Sequence, residues 1–367
     1  MKRIYTTEPY RKFNKKRADR HARRNLAFKK HRRAINRSQQ GARRQASKAI
    51  GEANKQFSDY KKVFAPDDFR FIDNTEEVIR FINKLWALFL KRKKVFVILK
   101  NVSQIDYGAI IVLLSVMIGY KSSGISFNGD YPKDGHCDDL IRKSGFFEHL
   151  YKNIKLKDRY QIATSNNQEH EIHTHAWKNV DSKLGEDIIK AASKIVWGEE
   201  RRCQGVQRAL IELMLNTNNH AKIGQTGVRH WWLSVNQEAE NKKVCFSFLD
   251  FGVGVFKSLD NKPSSSKFYN WFSKLTKAFT FENNAELLKL IMKGDLHKTV
   301  TGKHYRGKGL PGIANVLKRN QLSNLHIITN NAIGNIAEDH YALLNNSFSG
   351  TFVYWEVNSG NNSCGKS

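Results

Sequence analysis

The order of helical and β-rich segments between residues 181 and 358 defines the fold expected for this part of the chain. Two helical segments come first and two β-rich runs follow. A long insert at 256–305 then leads to a further helix and two closing strands. This order describes an α/β sandwich. The segments are expected at 182–198, 204–221, 228–236, 242–252, 306–320, 323–331 and 350–357.

Residues 60–160 have the pattern of a smaller α/β unit. Helical and β-rich segments alternate there, which predicts a parallel βαβ core. The most apolar run, 109–119, is too short to span a bilayer and is typical of a buried helix, so we expect no membrane insertion. The elements are expected at 75–92, 94–102, 106–124, 125–130 and 137–150, with the last helix interrupted at Gly145.

Positive charge is concentrated in the first part of the sequence. Residues 1–50 hold 18 Lys and Arg against 2 Asp and Glu, a net charge of +16 out of +28 for the whole chain. We expect a basic arm over residues 1–55, disordered or partly helical, because no apolar stripe of useful width occurs there. Such arms bind nucleic acid or another polyanion by releasing counterions. The alternatives are a solubilising tail and a helix that docks on an acidic partner.

Cysteines and histidines give weaker signals. Cys137, Cys203, Cys245 and Cys364 are far apart, so neither a CxxC metal site nor a dense disulfide framework is indicated. We expect free thiols in a reducing, cytoplasmic compartment, and the N-terminal residues lack the apolar core of a secretory signal. The polar connector at 161–180 contains three histidines, for which a solvated loop is favoured over a metal site.

The helical segment 204–221 carries a polar band in which Glu212, Asn216 and His220 recur at a spacing of four residues. These side chains span about 80° of the helix circumference. A carboxylate and a carboxamide facing a pocket can hold a metal–phosphate complex, because Mg²⁺ usually takes one or two protein oxygens besides phosphate and water. Asn216 is the candidate metal ligand, and Glu212 is the candidate group that orients or deprotonates the attacking nucleophile. The alternative is a helix face exposed to solvent.

Asp250 stands at the end of a β-rich run and is followed by Gly252 and Gly254. A carboxylate at a strand end can accept a hydrogen bond from an exocyclic amine such as that of adenine. The glycines allow a base to approach closely and give the chain a flexible path into the insert. The alternative is an ordinary turn after a strand.

A third motif, GKHYRGKGLPGIANVL at 302–317, places glycines around a predicted helix start. Backbone N–H groups at such a start hold anionic phosphate, and neighbouring basic side chains add positive charge. The alternative is a plain glycine-rich loop, and the motif is not a Walker A sequence. The candidate phosphate-binding residues are Arg306, Gly307, Lys308, Gly309 and Gly312.

Together, the three motifs resemble in order and separation those of the GHKL ATPase superfamily, whose domain has the Bergerat fold. The resemblance implies an ATP-binding domain at 181–358, a flexible tail at 359–367, and ATP and Mg²⁺ as cofactors. Thr217 departs from the alanine usual at its position, and the insert that would form the lid is long. The matched positions are Glu212, Asn216, His220, Asp250, Gly252, Gly254, Gly307, Gly309, Leu310, Gly312 and Thr351.

The stretch VFVILKNVSQIDYGAIIVLL resembles the STAS domain of anti-sigma-factor antagonists, which implies a STAS-like domain at 60–160. That family carries a phosphorylatable Ser or Thr just after an Asp. Here Tyr107 and Gly108 follow Asp106, so self-phosphorylation at this point is not expected. The expected fold class is therefore α/β (α+β), with a STAS-like α/β unit followed by a Bergerat-type α/β sandwich.

These features predict an ATP-binding signalling or switch protein, which would be a Mg²⁺-dependent ATPase or a kinase-like regulator. The STAS-like unit implies a protein partner, and a dimer is compatible with this interpretation. One alternative is a nucleic-acid-associated, ATP-gated protein that uses the basic arm. The other is an interaction module with an inactive ATP site, against which the presence of Glu212 argues.

Overall fold

The computed structural model describes most of the chain beyond residue 56, and contacts divide the chain into two compact units, Met1–Tyr60 and Lys61–Ser367. Both predicted α/β regions fall in the second unit. Most of the basic arm, the connector and the insert lie outside the described residues. The described residues are 57–151, 175–177, 180, 182–220, 231–238, 241–252, 254–256, 283–293 and 309–361, with Glu8, Lys12, Lys15 and Lys16.

The first α/β region contains a three-stranded parallel sheet of order β1-β3-β5, in which β3 and β5 are the predicted parallel pair and β1 is an unpredicted third strand, and a short parallel pair, β2 and β4. Gly145, with φ of +69°, separates the last two helices at the predicted position. The elements are β1 (Lys61–Phe64), β2 (Asp68–Phe69), α1 (Thr75–Leu90), β3 (Val95–Ile98), β4 (Gln104–Ile105), α2 (Tyr107–Ser122), β5 (Phe127–Gly129), α3 (Gly135–Lys143) and α4 (Phe146–Tyr151).

Helix α2 is the buried helix that the apolar run predicted, since every residue from Gly108 to Tyr120 is buried. Asp106 caps it by accepting a hydrogen bond from Ala109 N at 2.6 Å, and its other oxygen accepts one from Phe71 N at 2.9 Å. Burial raises the pKa of Asp106 to about 6 against these bonds. Among the described helices, none is long and apolar enough to cross a membrane.

The second α/β region is built on a five-stranded antiparallel sheet of order β6-β7-β8-β10-β9. The mixed α/β (α+β) fold class is therefore confirmed. The elements are β6 (His175–Trp177), α5 (Ser182–Trp197), α6 (Gln204–His220), β7 (Trp231–Glu238), β8 (Lys243–Asp250), α7 (Asn284–Lys293), α8 (Gly309–Lys318), β9 (Ser323–Asn335) and β10 (His340–Asn358).

This sheet serves two hydrophobic cores, because successive strand side chains point to opposite faces. One face packs against α1 and α2 of the first α/β region, and Trp232, Leu249 and Phe352 belong to that core. The other face is covered by α5, α6, α7 and α8, and it carries residues such as Trp231 and Phe248. The sheet is thus the middle layer between the two groups of helices.

Helix α7 shows that the insert is not one continuous lid. Its apolar side, which includes Leu288 and Met292, is buried in the core on the helical face of the sheet. Lys289 and Lys293 also form ion pairs with Asp339, at 3.0 and 3.4 Å. The helix predicted within the insert is therefore a fixed part of the fold.

The cysteines differ from the expectation of four free thiols. Cys137 and Cys245 are free and buried, as expected. Cys203, which directly precedes α6, is disulfide-bonded, so the prediction was wrong for this residue. Cys364 lies outside the described residues.

Candidate functional site

Asp250 lies at the end of β8 in a row of polar residues that crosses three strands. Thr351 of β10 pairs with Asp250, and Thr329 of β9 pairs with Thr351. We call Asp250, Thr351 and Thr329 the polar row. Strand alternation places it on the face covered by α5 to α8, since Phe248 and Val353, two residues away, belong to the core on that face. The register therefore brings together residues about 80–100 positions apart in sequence.

Helix α6 reaches the polar row through Thr217, which is 1% exposed. Its hydroxyl lies 3.4 Å from Asp250 Oδ2 and 3.2 Å from Leu213 O, and it can donate to either oxygen. Thr217 thus joins the helix and the strand end that carry two of the predicted motifs. From the sequence alone it was notable only because alanine is usual at its position in the motif that the helix resembles.

The carboxyl group of Asp250 is surrounded by protein atoms, although the residue as a whole is partly exposed to solvent. Burial raises the pKa of Asp250 to about 7. The Thr217 hydroxyl and the backbone N–H groups of Thr351 and Gly252 lower the pKa and so limit the rise. Near neutral pH the carboxyl group can be an ionised acceptor or a protonated one, which is common at functional sites.

Two glycines beside Asp250 are required by close contacts within the protein. Gly350 has φ of +148°, and a Cβ placed there would lie 2.0 Å from Asp250 O. Gly254 has φ of +74°, and a Cβ there would lie 2.3 Å from Asn330 Oδ1. The sequence predicted the need for Gly254 from close approach of a base, whereas the observed neighbour is a protein side chain.

Strand β9 holds both the start of the insert and the start of α7 within it, a role that was not predicted from the sequence. Thr329 Oγ1 accepts from Val255 N at 3.0 Å, and Asn330 Oδ1 accepts from Phe256 N at 3.2 Å. Asn331 Oδ1 accepts from Asn284 Nδ2, at the start of α7, at 2.6 Å. The available signal was the polar triplet TNN, which interrupts the apolar pattern of β9.

Helices α6 and α8 pack against each other. Gly205, near the start of α6, lies against Val316 and Gln321, near the end of α8. The end of α8 therefore lies beside the start of α6.

Glu212 is a partly buried carboxylate with only a weak ionic partner among the described contacts. Its side chain is 25% exposed, and Arg208 Nε lies 4.0 Å from Glu212 Oε1. Because Arg208 is 63% exposed, this ion pair contributes little to stability. The carboxylate thus keeps hydrogen-bonding capacity for a further group.

The remaining predicted residues divide into two groups. Thr351 is buried in the polar row, Leu310 is buried in the first turn of α8, and Gly312 lies inside α8. The backbones of Asn216 and His220 continue α6, but their side chains lie outside the description. Arg306, Gly307 and Lys308 precede α8 and also lie outside the described residues, and Gly309 begins the helix.

Within the described part of the chain, no group of three or more His, Cys, Asp or Glu could hold a metal ion.

No protein-family model matches the chain, and no curated protein matches its sequence. The candidate site is therefore defined by the chemistry of its residues and by their geometry. The described residues bring Asp250, Thr217 and Thr351 together, and Glu212 lies on the same helix, α6, as Thr217.

Proposed function

We propose that the chain binds ATP with Mg²⁺ where α6, β8 and α8 meet, and acts as a nucleotide-gated signalling or switch protein. The observation that carries this proposal is the 3.4 Å contact between Thr217 of α6 and Asp250 of β8. It joins the helix that bears Glu212 to the carboxyl group expected to read adenine. Helix α8, which begins at the third predicted motif, packs against the same helix α6.

Each motif has a chemical role in this proposal. Asp250 accepts a hydrogen bond from the adenine amino group. The backbone N–H groups at the start of α8 face the phosphates, because a helix start carries positive dipole charge and unpaired donors. Asn216 would ligate Mg²⁺, and Glu212 would orient or deprotonate a water molecule or a protein hydroxyl. Mg²⁺ would neutralise charge that develops on the phosphate oxygens.

The packing of the first α/β region supports a switch rather than a stand-alone ATPase. Phe251 follows Asp250 directly and contacts Trp86 and Phe348, with ring centroids 5.3 and 5.7 Å apart. Phe348 in turn contacts Phe71 at 5.4 Å. A shift of the Asp250 segment on nucleotide binding would therefore change the packing of the core shared with the STAS-like region. We propose that the STAS-like region contacts a protein partner.

Nucleotide binding tests the proposal directly. We expect wild-type protein to bind ATP in the presence of Mg²⁺, measured by isothermal titration calorimetry, and Asp250→Ala to weaken binding at least tenfold through loss of one hydrogen bond to the base. Asp67→Ala, which changes an exposed aspartate, is the matched control and should bind like wild type. Absence of wild-type binding would refute the proposal.

Hydrolysis separates an ATPase from a passive sensor. Glu212→Gln keeps the size of the side chain but removes its basicity. We expect it to lower steady-state phosphate release by about 10²–10⁴-fold, the usual contribution of a general base, while ATP affinity stays within about threefold of wild type. Equal rates in the two proteins would exclude Glu212 as the base.

The basic N-terminal residues support a second candidate function, an ATP-gated protein associated with nucleic acid. The supporting observation is the net charge of +16 in residues 1–50. We expect binding of double-stranded DNA or RNA that weakens steeply with salt and is lost when residues 1–50 are deleted. Retention of ATP binding by the deleted protein would show that the two properties are separate.

A further inference from the structure

We propose that one face of the three-stranded sheet β1-β3-β5 is a docking surface for single-stranded nucleic acid. We call this surface the aromatic–lysine face. It consists of Lys62 and Phe64 of β1, Phe96 of β3, and Lys94 directly before β3. The inference rests on the second candidate function, to which it adds a binding surface and a preference for single strands.

Strand pairing places these four residues on one face. Lys62 pairs with Phe96 across the two parallel strands. The Lys61 N–H donates to Lys94 O at 2.9 Å, so the pairing continues to the residue before β3. Neighbouring strands lie about 4.8 Å apart, and residues two positions apart in a strand share a face. Lys62 and Phe64 therefore lie side by side with Lys94 and Phe96.

This face is directed away from the hydrophobic core. The alternate residues of both strands, such as Val63 and Val95, belong to the core that packs against α1 and α2. On the opposite face Phe64 is 59% exposed and Lys62 is exposed. Phe96 is partly exposed on the same surface, so the apolar area is larger than that of a single exposed side chain.

The charge beside this face favours a polyanion. Four consecutive basic residues, 91–94, lead into β3 and are exposed, and no acidic residue occurs from 78 to 105. Asp130, after β5, is two strands away from β1, and its carboxylate accepts from Leu99 N and Lys100 N at 2.5 and 3.1 Å. The lysines can therefore neutralise phosphate groups with release of counterions.

The arrangement of rings and charges indicates which polyanion fits. Single-stranded nucleic acid is bound by positive charge along its backbone and by aromatic side chains on which its bases stack. A duplex keeps the faces of its bases inside the stack, and a membrane-binding helix separates an apolar side from a charged side. Here a lysine and a ring alternate on the same face of both strands, as binding of a single strand requires.

Fluorescence anisotropy with the full chain and labelled strands of about 12 nucleotides tests the inference. Oligothymidylate is compared with an abasic strand of the same length, which has the phosphates but no bases. We expect Phe64→Ala to weaken oligothymidylate binding about 5- to 100-fold, the usual effect of losing one stacked base. Binding of the abasic strand and of a DNA duplex should change less than about twofold.

Two further variants separate charge from stacking. Lys62→Ala should weaken binding of oligothymidylate and of the abasic strand equally, and should reduce the slope of log affinity against log salt concentration by about 0.7. Tyr151→Ala removes a ring of α4 that is 67% exposed, and as the matched control it should bind both strands like wild type.

The outcomes distinguish this inference from the function on which it rests. If Phe64→Ala bound oligothymidylate like wild type, or lost equal affinity for both strands, the inference would be overturned and the second candidate function would stand. Loss of binding to phosphatidylserine vesicles, with oligothymidylate binding intact, would assign the face to a membrane and would also overturn it. Failure of wild type to bind single strands and duplex alike would overturn the second candidate function as well.

Discussion

Two adjacent rows of the five-stranded sheet face opposite layers and have opposite chemistry. The polar row, Asp250, Thr351 and Thr329, faces the helices α5 to α8. One residue along each strand, Leu249, Phe352 and Ile328 form a second row, which we call the apolar row, and it faces α1 and α2. A step of one residue in a strand thus separates the proposed chemistry from a core that holds the molecule together.

The packing of the apolar row explains how the site can contain a carboxyl group whose burial is unfavourable. All three residues of the apolar row are fully buried, and Phe352 also contacts Phe71, with ring centroids 4.8 Å apart. This packing fixes the strands in register from one side. The polar row on the other side can then keep a carboxyl group with a raised pKa, whose burial is unfavourable, without loss of the fold.

The largest expected loss of stability comes from a substitution in the apolar row. Phe352→Ala removes a fully buried ring that packs on Phe71 and lies close to Gly108. We expect it to lower the free energy of unfolding by about 3–5 kcal/mol, measured by urea denaturation followed by circular dichroism.

Phe64→Ala is the control, since this ring is 59% exposed and its loss should cost less than about 1 kcal/mol. If Phe352→Ala cost no more than the control, the first α/β region would not depend on the sheet for its core. The contrast between the two rows would then fail.

The elements that carry the two rows could be predicted from the sequence, but the strand pairing that brings the residues of each row together could not. Helical and strand periodicities located α2, β8 and the strand end at Asp250, because these signals are local. The rows depend on pairing of residues near 250, 329 and 351, and this long-range register has no local signature. Packing of the first α/β region on the sheet was missed for the same reason, since alternating apolar residues in β8 and β10 do not show what covers each face.

Only some residues of the candidate site could be predicted from the sequence, and the reason is again physical. Asp250 and Gly254 could be singled out from the sequence because they belong to one local pattern, a β-rich run that ends in an aspartate and is followed by two glycines. Thr217 and Asn330 could not, because their roles depend on partners 33 and 74 residues away in sequence. A threonine in a helix or an asparagine in a strand has many ordinary environments.

A smaller loss of stability is expected from a substitution at Gly350, which directly precedes Thr351 of the polar row. Gly350→Ala would place a Cβ 2.0 Å from Asp250 O at a backbone conformation, φ of +148°, that L-residues rarely adopt. We expect a loss of about 2–3 kcal/mol in thermal or urea unfolding and weaker ATP binding, because the Asp250 strand end must move.

Gly124→Ala provides a matched comparison. Gly124 also has positive φ, at +65°, but a Cβ there would meet no atom within 4 Å. The cost should be about 1 kcal/mol, from backbone conformation alone, and ATP binding should be unaffected. Equal costs at the two glycines would mean that the close contact at Asp250 relaxes freely.

The smallest effect concerns the pH dependence of stability, and it distinguishes the rows without a change in packing volume. The pKa of Asp250 is about 7 in the folded protein, above the value near 3.9 of an unfolded chain. The folded state therefore holds the proton of Asp250 more tightly, and the contribution of this group to stability falls as pH rises from about 4 to 7. The limiting slope for one group is about 1.4 kcal/mol per pH unit, and partial exposure reduces it. Asp250→Asn removes this titration, so we expect the variant to gain about 1–2 kcal/mol relative to wild type between pH 5 and pH 8.

Asp106, whose pKa is also raised, is present in both proteins, so its contribution cancels in the difference. Ile328→Val in the apolar row should shift stability by a constant amount across the same pH range, because it changes no ionisable group. Urea unfolding at four pH values measures both differences. A pH-independent difference for Asp250→Asn would mean that the carboxyl group of the polar row is as well solvated as in the unfolded chain, and the chemical contrast between the two rows would be lost.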